Sequence, residues 1–340
     1  MTAQSMAWHP YMPERLSWRE IARGNIGSAN GLFEPQAEAV VAIGAFDGLH
    51  LGHRALIEAA CQSARKLDMP CVAVMFDPDP AEFLSGKDAS SNSRLLHCAD
   101  RAAGLVSLGA DAVVSLRFDE SISGISPRAF VDDVLPDVVR PRMLHVGENF
   151  RFGCGGQGDV TTLASLAKEA GFEVRVHPLV CRDASRVSST RIRSLLREGS
   201  LDDANELLGR CHYVRGVVEH GRGEGTGFGF PTANVCCERE DCVPTEGVYA
   251  AYVSCDGRAW PAAVNVGSPP TFAQRREAFM EANLLGFSGD LYGREVCVSF
   301  VKWLRASRRF DTIDELERTV RGNISWVSEN LGSHELEVSL

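Results

Sequence analysis

The hydrophobic period of this chain changes near residue 210, and that change limits the folds open to it. Before it, short apolar runs alternate with runs of helical spacing. Ala39–Ile43, Cys71–Phe76, Ala112–Leu116, Met143–Val146 and Phe172–Val176 read as strands. Between them, Leu56, Ala59, Ala60, Ala64 and Leu67 form one helical stripe, and Leu96, Ala99, Ala103 and Leu105 a second. Ser126 precedes a helix carrying Phe130, Val131 and Val134, and Asp159 precedes one carrying Leu163, Leu166 and Ala170; both suit the N-cap position. Strands alternating with helices predict a parallel sheet covered on both faces. After residue 210 the runs alternate with a period of two and are separated by turn residues. Tyr213–Val218, Val248–Ser254, Ala259–Val266, Phe279–Leu285 and Glu295–Trp303 predict a small closed all-β barrel. Leu201–Gly209 reads as a short helix with a glycine stop. Thr312–Glu315 fits a capping box opening a last helix, Ile313 to about Asn330, with Ile313, Leu316, Val320, Ile324 and Val327 as its buried stripe.

The expected organisation is therefore an extension over residues 1–36, an α/β domain over 37–209 and a barrel domain over 210–335. A short helix is expected around Trp18–Arg23. A length of 340 residues suits two domains. The net charge of −10 argues against a protein wrapped on nucleic acid, but local geometry can still hold small anions. Eleven scattered cysteines, an odd number without a Cys-x-x-Cys pair, read as reduced thiols. The Cys236-Cys237…Cys242 cluster has poor spacing for a metal. Met1–Trp18 lacks the basic and apolar segments of a signal peptide, and no apolar run has the length of a membrane span. The expected compartment is the cytoplasm, with no membrane partner; self-association is left open.

Several loops fall at the carboxyl ends of the predicted strands, where such sheets bind ligands. Gly44-Ala45-Phe46-Asp47-Gly48-Leu49-His50-Leu51-Gly52-His53 joins the first strand to a helix start. Backbone N–H groups and the helix dipole favour anions there. Gly44, Gly48 and Gly52 allow close approach, and His50 and His53 are spaced to face one anion. Imidazoles donating to phosphate oxygens would stabilise charge during phosphoryl or nucleotidyl transfer. The plain alternative, two surface histidines, is weakened by the strand–turn–helix setting. Arg186-Val187-Ser188-Ser189-Thr190-Arg191-Ile192-Arg193 opens another helix with hydroxyls followed by arginine, which suits polyphosphate as well as ordinary capping. In the second half, His220–Asn234 carries enough glycines, Gly221 and Gly229 among them, to approach phosphates closely.

The first of these motifs resembles the His-x-Gly-His nucleotidyltransferase superfamily. Its Gly-x-Phe-Asp-Gly-x-His-x-Gly-His form is similar to that of prokaryotic bifunctional riboflavin kinase/FAD synthetases (FMN adenylyltransferases). The resemblance covers roughly residues 37–330 and implies a Rossmann-like nucleotidyltransferase domain followed by a riboflavin kinase barrel. It implies that riboflavin is phosphorylated with MgATP to FMN, and that FMN is adenylylated with ATP to FAD. By that resemblance Gly44, Phe46, Asp47, Gly48, His50, Gly52, His53, Arg186, Ser189, Thr190, Arg193, Gly221 and Gly229 are nucleotide-binding candidates. Asn149 and, more weakly, Arg151 in Gly147–Gly153 become flavin contacts. Phe272 is carried over as a flavin wall, with an equal case for a core aromatic. Phe230-Pro231-Thr232-Ala233-Asn234 resembles the kinase signature in which Thr232 and Asn234 would hold Mg²⁺. Glu281, in Glu281-Ala282-Asn283-Leu284-Leu285-Gly286-Phe287, aligns with the catalytic base.

The chain departs from the family pattern at Asp79 and Asn283, where members carry His, and at Gly286, where they carry Asp. Glu224 and Thr226 stand where basic residues are common. These changes keep two alternatives in play at this level: a kinase with a weakened adenylyltransferase, and a flavin-binding regulatory protein without catalysis.

Overall fold

In the computed structural model the described residues are 17–21, 24–28, 37–85, 94–220, 230–267, 279–308 and 310–337. The chain divides into two compact units, one ending at Ser189 and the other beginning at Thr190.

The first unit is a seven-stranded sheet in the order β1-β2-β5-β4-β3-β6-β7. Its strands are β1 Ser17–Ile21, β2 Gly24–Ser28, β3 Glu38–Ile43, β4 Cys71–Asp77, β5 Ala112–Arg117, β6 Arg140–Gly147 and β7 Glu173–His177, followed by a separate two-stranded pair, β8 Cys181–Arg182 and β9 Ser185–Arg186. The strands from β5 to β7 in that order are parallel. Val40–Ile43 and Cys71–Phe76 are buried along their length, as strands covered on both faces must be. Helices α1 Leu51–Leu67, α2 Pro80–Ser85, α3 Cys98–Ser107, α4 (127–138) and α5 Val160–Ala170 connect them. Ser126 Oγ accepts from Ala129 N–H at 3.1 Å and Asp159 Oδ1 from Thr162 N–H at 2.8 Å, the two caps expected from sequence. Val41, Ile43, Val74, Val114 and Leu144 pack with Phe130, Leu135 and Leu163 in the core.

Two expectations need correction. Trp18 lies not in a helix but in β1, which pairs antiparallel with β2, and β2 extends the sheet antiparallel at β5. Pairing of backbone along the sheet edge, invisible in local periodicity, wins over helical propensity here. Leu67, Ala99 and Ala170 are exposed, while Ile57, Ala102 and Ala167 hold buried places, so the helical faces are rotated slightly from the predicted stripes.

The second unit opens with α6 Ser189–Glu198, whose first residue closes the first unit, and α7 Leu201–Leu208, stopped by Gly209 at φ +67°. Six antiparallel strands then close on themselves in the order β12-β15-β10-β11-β14-β13, with β13 returning to β12. They are β10 His212–Glu219, β11 Ala233–Cys236, β12 Gly247–Cys255, β13 Arg258–Gly267, β14 Phe279–Leu284 and β15 Glu295–Arg305. The short β11, which carries Asn234, was not foreseen as a strand. Helix α8 Ile313–Leu331 follows, capped by Thr312 Oγ1 accepting from Glu315 N–H. Its Val327 is buried against Ala250 and Leu285, with Ile324, Trp326 and Leu331 alongside. Ile313, expected in the buried stripe, is 58% exposed because the first turn overhangs the core.

Candidate active sites

The Gly44–His53 turn holds its backbone in an unusual conformation. Phe46 and Leu49 take φ of +56° and +45°, and Gly48 +80°. Left-handed backbone is costly for the two side chains and persists only where the surroundings impose it. Phe46 is fully buried, and Asp47 Oδ1 accepts from Leu95 N–H at 2.9 Å and Leu96 N–H at 3.2 Å. Ser189 Oγ donates to the Asp47 carbonyl at 2.8 Å. A bond spanning 142 residues thus joins the first nucleotide motif to the start of the second. Thr190 and Arg193 continue the helix from Ser189, and Arg193 is buried and lies one turn on, on the same face as Ser189.

His50 caps α1: its Nδ1 accepts from His53 N–H at 3.3 Å, so the neutral ring carries its proton on Nε2. The two imidazoles stack 3.6 Å apart at 15°, with the Phe46 ring edge-on to His53 at 5.4 Å. A Cβ on Gly52 would sit 3.2 Å from the His50 ring, so glycine makes room for the stack. Burial pushes the His50 imidazole down to about 4. Burial, then the charges of His50 and Arg101, push His53 well below its ordinary value. Both are therefore neutral at pH 7, poised as N–H donors rather than as cations.

Arg101 on α3 was not singled out from sequence. It is 4% exposed, and its Nη1 donates to the carbonyls of Ala45 at 2.9 Å and Phe76 at 3.0 Å. Nη2 reaches Asp77 Oδ1 at 3.4 Å. Only an isolated arginine amid Asp100-Arg101-Ala102 marks it in the sequence, which is no signal at all. Asp79 is 8% exposed and its Oδ1 accepts from Ala81 N–H at 2.8 Å. Here the family's His position carries a carboxylate that caps α2.

The flavin-side loop follows β6. Asn149 and Arg151 are exposed, Arg151 donating to the Phe150 carbonyl at 3.1 Å. A Cβ on Gly147 would lie 3.1 Å from Asn149 Oδ1. Phe152 is the buried aromatic of the loop, against Phe130 and Phe150. At the same strand ends, His145 Nδ1 and His177 Nε2 share a proton at 2.8 Å, with burial pushing His145 down to about 4 and lowering His177. Arg186 lies on an exposed two-residue strand, Ser185–Arg186, paired with Cys181–Arg182.

In the barrel the register does the assembling. Asn234 on β11 stands directly opposite Glu281 on β14, and Glu281 stands opposite Asn265 on β13. On the other side Asn234 faces Glu219 of β10. Directly opposed residues share a face, so Glu219, Asn234, Glu281 and Asn265 form one polar row. The adjacent row, Val235–Met280–Val266, is buried and apolar and points the other way. Thr232 precedes Asn234 by two residues, the spacing that keeps side chains on one side of an extended chain. Asn234 is 7% exposed. Asn283, replacing the family's His, donates from Nδ2 to the Pro231 carbonyl at 2.8 Å and so ties β14 to the Thr232 segment. Gly286, replacing Asp, has φ +75°, and a Cβ there would fall 2.5 Å from the Ser333 carbonyl. Gly221, Gly229 and Phe272, with the departures Glu224 and Thr226, lie outside the described residues. Glu219 and Asn265 were given no role from sequence; only strand pairing reveals their place in the row.

Among the described residues no cluster of His, Cys, Asp and Glu suits a metal, and no helix is long and apolar enough to cross a membrane. All eleven cysteines are free thiols.

Two family profiles match the chain: FAD synthetase over residues 33–191 and riboflavin kinase over residues 208–331. The bifunctional riboflavin kinase/FMN adenylyltransferase of Pseudomonas fluorescens is 37% identical over 84% of this chain and 91% of its own length. That of Bacillus subtilis is 32% identical over 84% and 90%. A solved Streptococcus pneumoniae structure, described as a macrolide-efflux protein, superposes with a TM-score of 0.78 at 27% identity, covering 88% of this chain and 96% of its own. The parallel-sheet unit and the closed barrel with its terminal helix are thus a shared architecture, and the chain belongs to the bifunctional riboflavin kinase/FMN adenylyltransferase family.

Proposed function

We propose that each half of this bifunctional transferase works through the polar groups its fold gathers, with 37–209 and 210–335 as the working domain limits. The barrel phosphorylates riboflavin with ATP, and the parallel-sheet unit transfers AMP from ATP to FMN, releasing pyrophosphate. Motifs remote in sequence meet within each unit, and that observation carries the reading: Ser189 meets Asp47, and Asn234 faces Glu281.

In the barrel, the Glu281 carboxylate takes the proton of the ribityl 5′-hydroxyl as that oxygen attacks the γ-phosphorus of ATP. ADP leaves and FMN forms. The Thr232 hydroxyl and the Asn234 amide oxygen are hard oxygen donors, which fits Mg²⁺ better than a softer metal. Those two residues would hold it, and Mg²⁺ when bound neutralises charge on the phosphate oxygens. Asn283 keeps the Pro231–Thr232 segment against β14. The glycine-rich loop with Gly221 and Gly229 covers the phosphates, and Phe272 walls the flavin.

In the parallel-sheet unit, an FMN phosphate oxygen attacks the α-phosphorus of ATP. That phosphate is already ionised at neutral pH, so no general base is required. Catalysis rests on positioning and charge stabilisation. Neutral His50 and His53 donate N–H bonds to phosphate oxygens, and Gly44, Gly48 and Gly52 let the backbone close on them. Ser189, Thr190 and Arg193 hold the rest of the triphosphate, with Arg186 reaching in from its exposed strand. Asn149 and Arg151 contact the flavin. Phe46 and Asp47 act by holding the turn. The free thiols suit a reducing compartment, and we place the protein in the cytoplasm.

A time course of riboflavin, FMN and FAD with MgATP tests this reading. FMN should rise first and FAD follow. Flavin binding with neither product would overturn it, and FMN without FAD would overturn the second reaction alone.

A further inference from the structure

We propose that Arg101 is a positioning residue for adenylyl transfer: its guanidinium fork ties the ends of β3 and β4 together at the base of the His50–His53 turn. This rests on the reading of Gly44–His53 as the adenylyltransferase site. One Nη1 donates both to Ala45, inside the motif, and to Phe76, at the end of the neighbouring strand. The two carbonyls stand at the carboxyl ends of parallel strands, where ligands of such sheets bind. A flexible ammonium would not reproduce this planar fork.

The burial of the group argues for a role beyond stability. A buried arginine is rare unless paired. Among the described residues it has one ion pair, long at 3.4 Å, to an Asp77 side chain that is 49% exposed. Its Nε is buried without a partner among the described residues. Burying such a charge is seldom the stabilising choice, since desolvation opposes it. What it offers instead is positive potential at the strand ends, beside the turn read as the triphosphate site. Arg101 also acts on His53, which its charge helps keep unprotonated, together with burial and His50. Besides Asp77 in the ion pair, Glu82 of α2 and Cys98 of its own helix also sense Arg101.

The test uses the full chain with Arg101→Gln and Arg101→Lys. FAD formation from FMN and ATP is measured beside FMN formation from riboflavin in the same preparation. For Arg101→Gln we expect kcat for FAD formation to fall about 100-fold, the scale of a small misplacement of reacting groups. Most of that loss should fall on kcat rather than on the KM for ATP, and riboflavin phosphorylation should be unchanged. Arg101→Lys should recover about tenfold of the loss. The His53 titration, followed by NMR of labelled imidazoles, should move up in Arg101→Gln and less in Arg101→Lys. Normal FAD formation in either variant, a loss confined to KM, or an unmoved His53 titration in Arg101→Gln would each overturn the proposal. If hydrogen exchange shows the sheet loosened in Arg101→Gln, Arg101→Lys alone decides: a reduced kcat supports the role and a normal one overturns it. His53→Ala separates the two claims. If it spares FAD formation, the site itself is misassigned; if it abolishes FAD formation while Arg101→Gln does not, only the role of Arg101 fails.

Discussion

In the parallel-sheet unit the candidate groups hang on a turn forced into left-handed backbone at Phe46, Gly48 and Leu49. In the barrel they ride on paired strands, and the register alone sets Asn234 opposite Glu281. The first arrangement is held by side chains reaching in from elsewhere: Asp47 to Leu95 and Leu96, Arg101 to Ala45, Ser189 to Asp47. The second is held by backbone bonds that any sequence in those strands would make. A polyphosphate cradle needs converging N–H groups, which a strained turn at a helix start supplies. A base aimed at one hydroxyl needs a fixed carboxylate, which a ladder supplies. The first design should fail by loosening of its props, the second by loss of one group.

The largest effect expected from that contrast is at Glu281. Glu281→Gln keeps the ladder and removes the base, so riboflavin phosphorylation should fall about 10²–10⁴-fold while FAD formation from supplied FMN continues. Chromatography of both products checks it, and equal loss of both reactions would break the division between the units. His53→Ala should do the reverse, lowering FAD formation about 10²–10³-fold. Gly52→Ala is subtler. Its new methyl would press on the His50 ring 3.2 Å away, and we expect about a tenfold loss of FAD formation with the kinase untouched.

Acid should also separate the units. The folded-state values of His50 and His145 lie at about 4 and those of His53 and His177 are lowered, against an ordinary value near 6.5. The unfolded chain therefore binds more protons than the folded one as pH falls from 6.5 toward 4. Stability is complete above that window and is lost through it, by up to about 3 kcal/mol for a fully buried ring such as His50. In the second unit burial pushes His212 down in the same way, to about 4. Hydrogen exchange resolved by segment should show the parallel sheet opening at higher pH than the barrel. The smallest effect is expected at Asn283→Ala, which removes one hydrogen bond to Pro231. A loss of about fivefold in kinase kcat/KM, with FAD formation unchanged, would match the usual worth of such a bond.

Much of this was legible in the residues. The strands and their helices in the first unit follow from buried apolar runs and from caps such as Ser126 and Asp159, because parallel strands must be apolar on both faces. The pairing of β1 with β2 was not legible, since an edge hairpin needs a partner strand more than it needs a pattern of its own. Neither was β11, whose four residues are too few to show alternation. The site divides the same way. His50, His53, Ser189, Thr232 and Glu281 stand in motifs dense enough to be noticed. Arg101 stands in none, and Asn265 only at the edge of the Asn265–Phe272 segment, with no role of its own.

What the chain alone determined is local: the turn that needs its glycines, the helix starts that need their caps, and the two hydrophobic periods that require a sheet and a barrel. Which distant groups share a face was decided only by tertiary structure. Strand register converts a separation of 47 residues between Asn234 and Glu281 into direct opposition, and a buried guanidinium joins two strand ends that the sequence leaves 31 residues apart. Local preference acts over a few bonds, whereas those meetings depend on which strands pair and where the core closes.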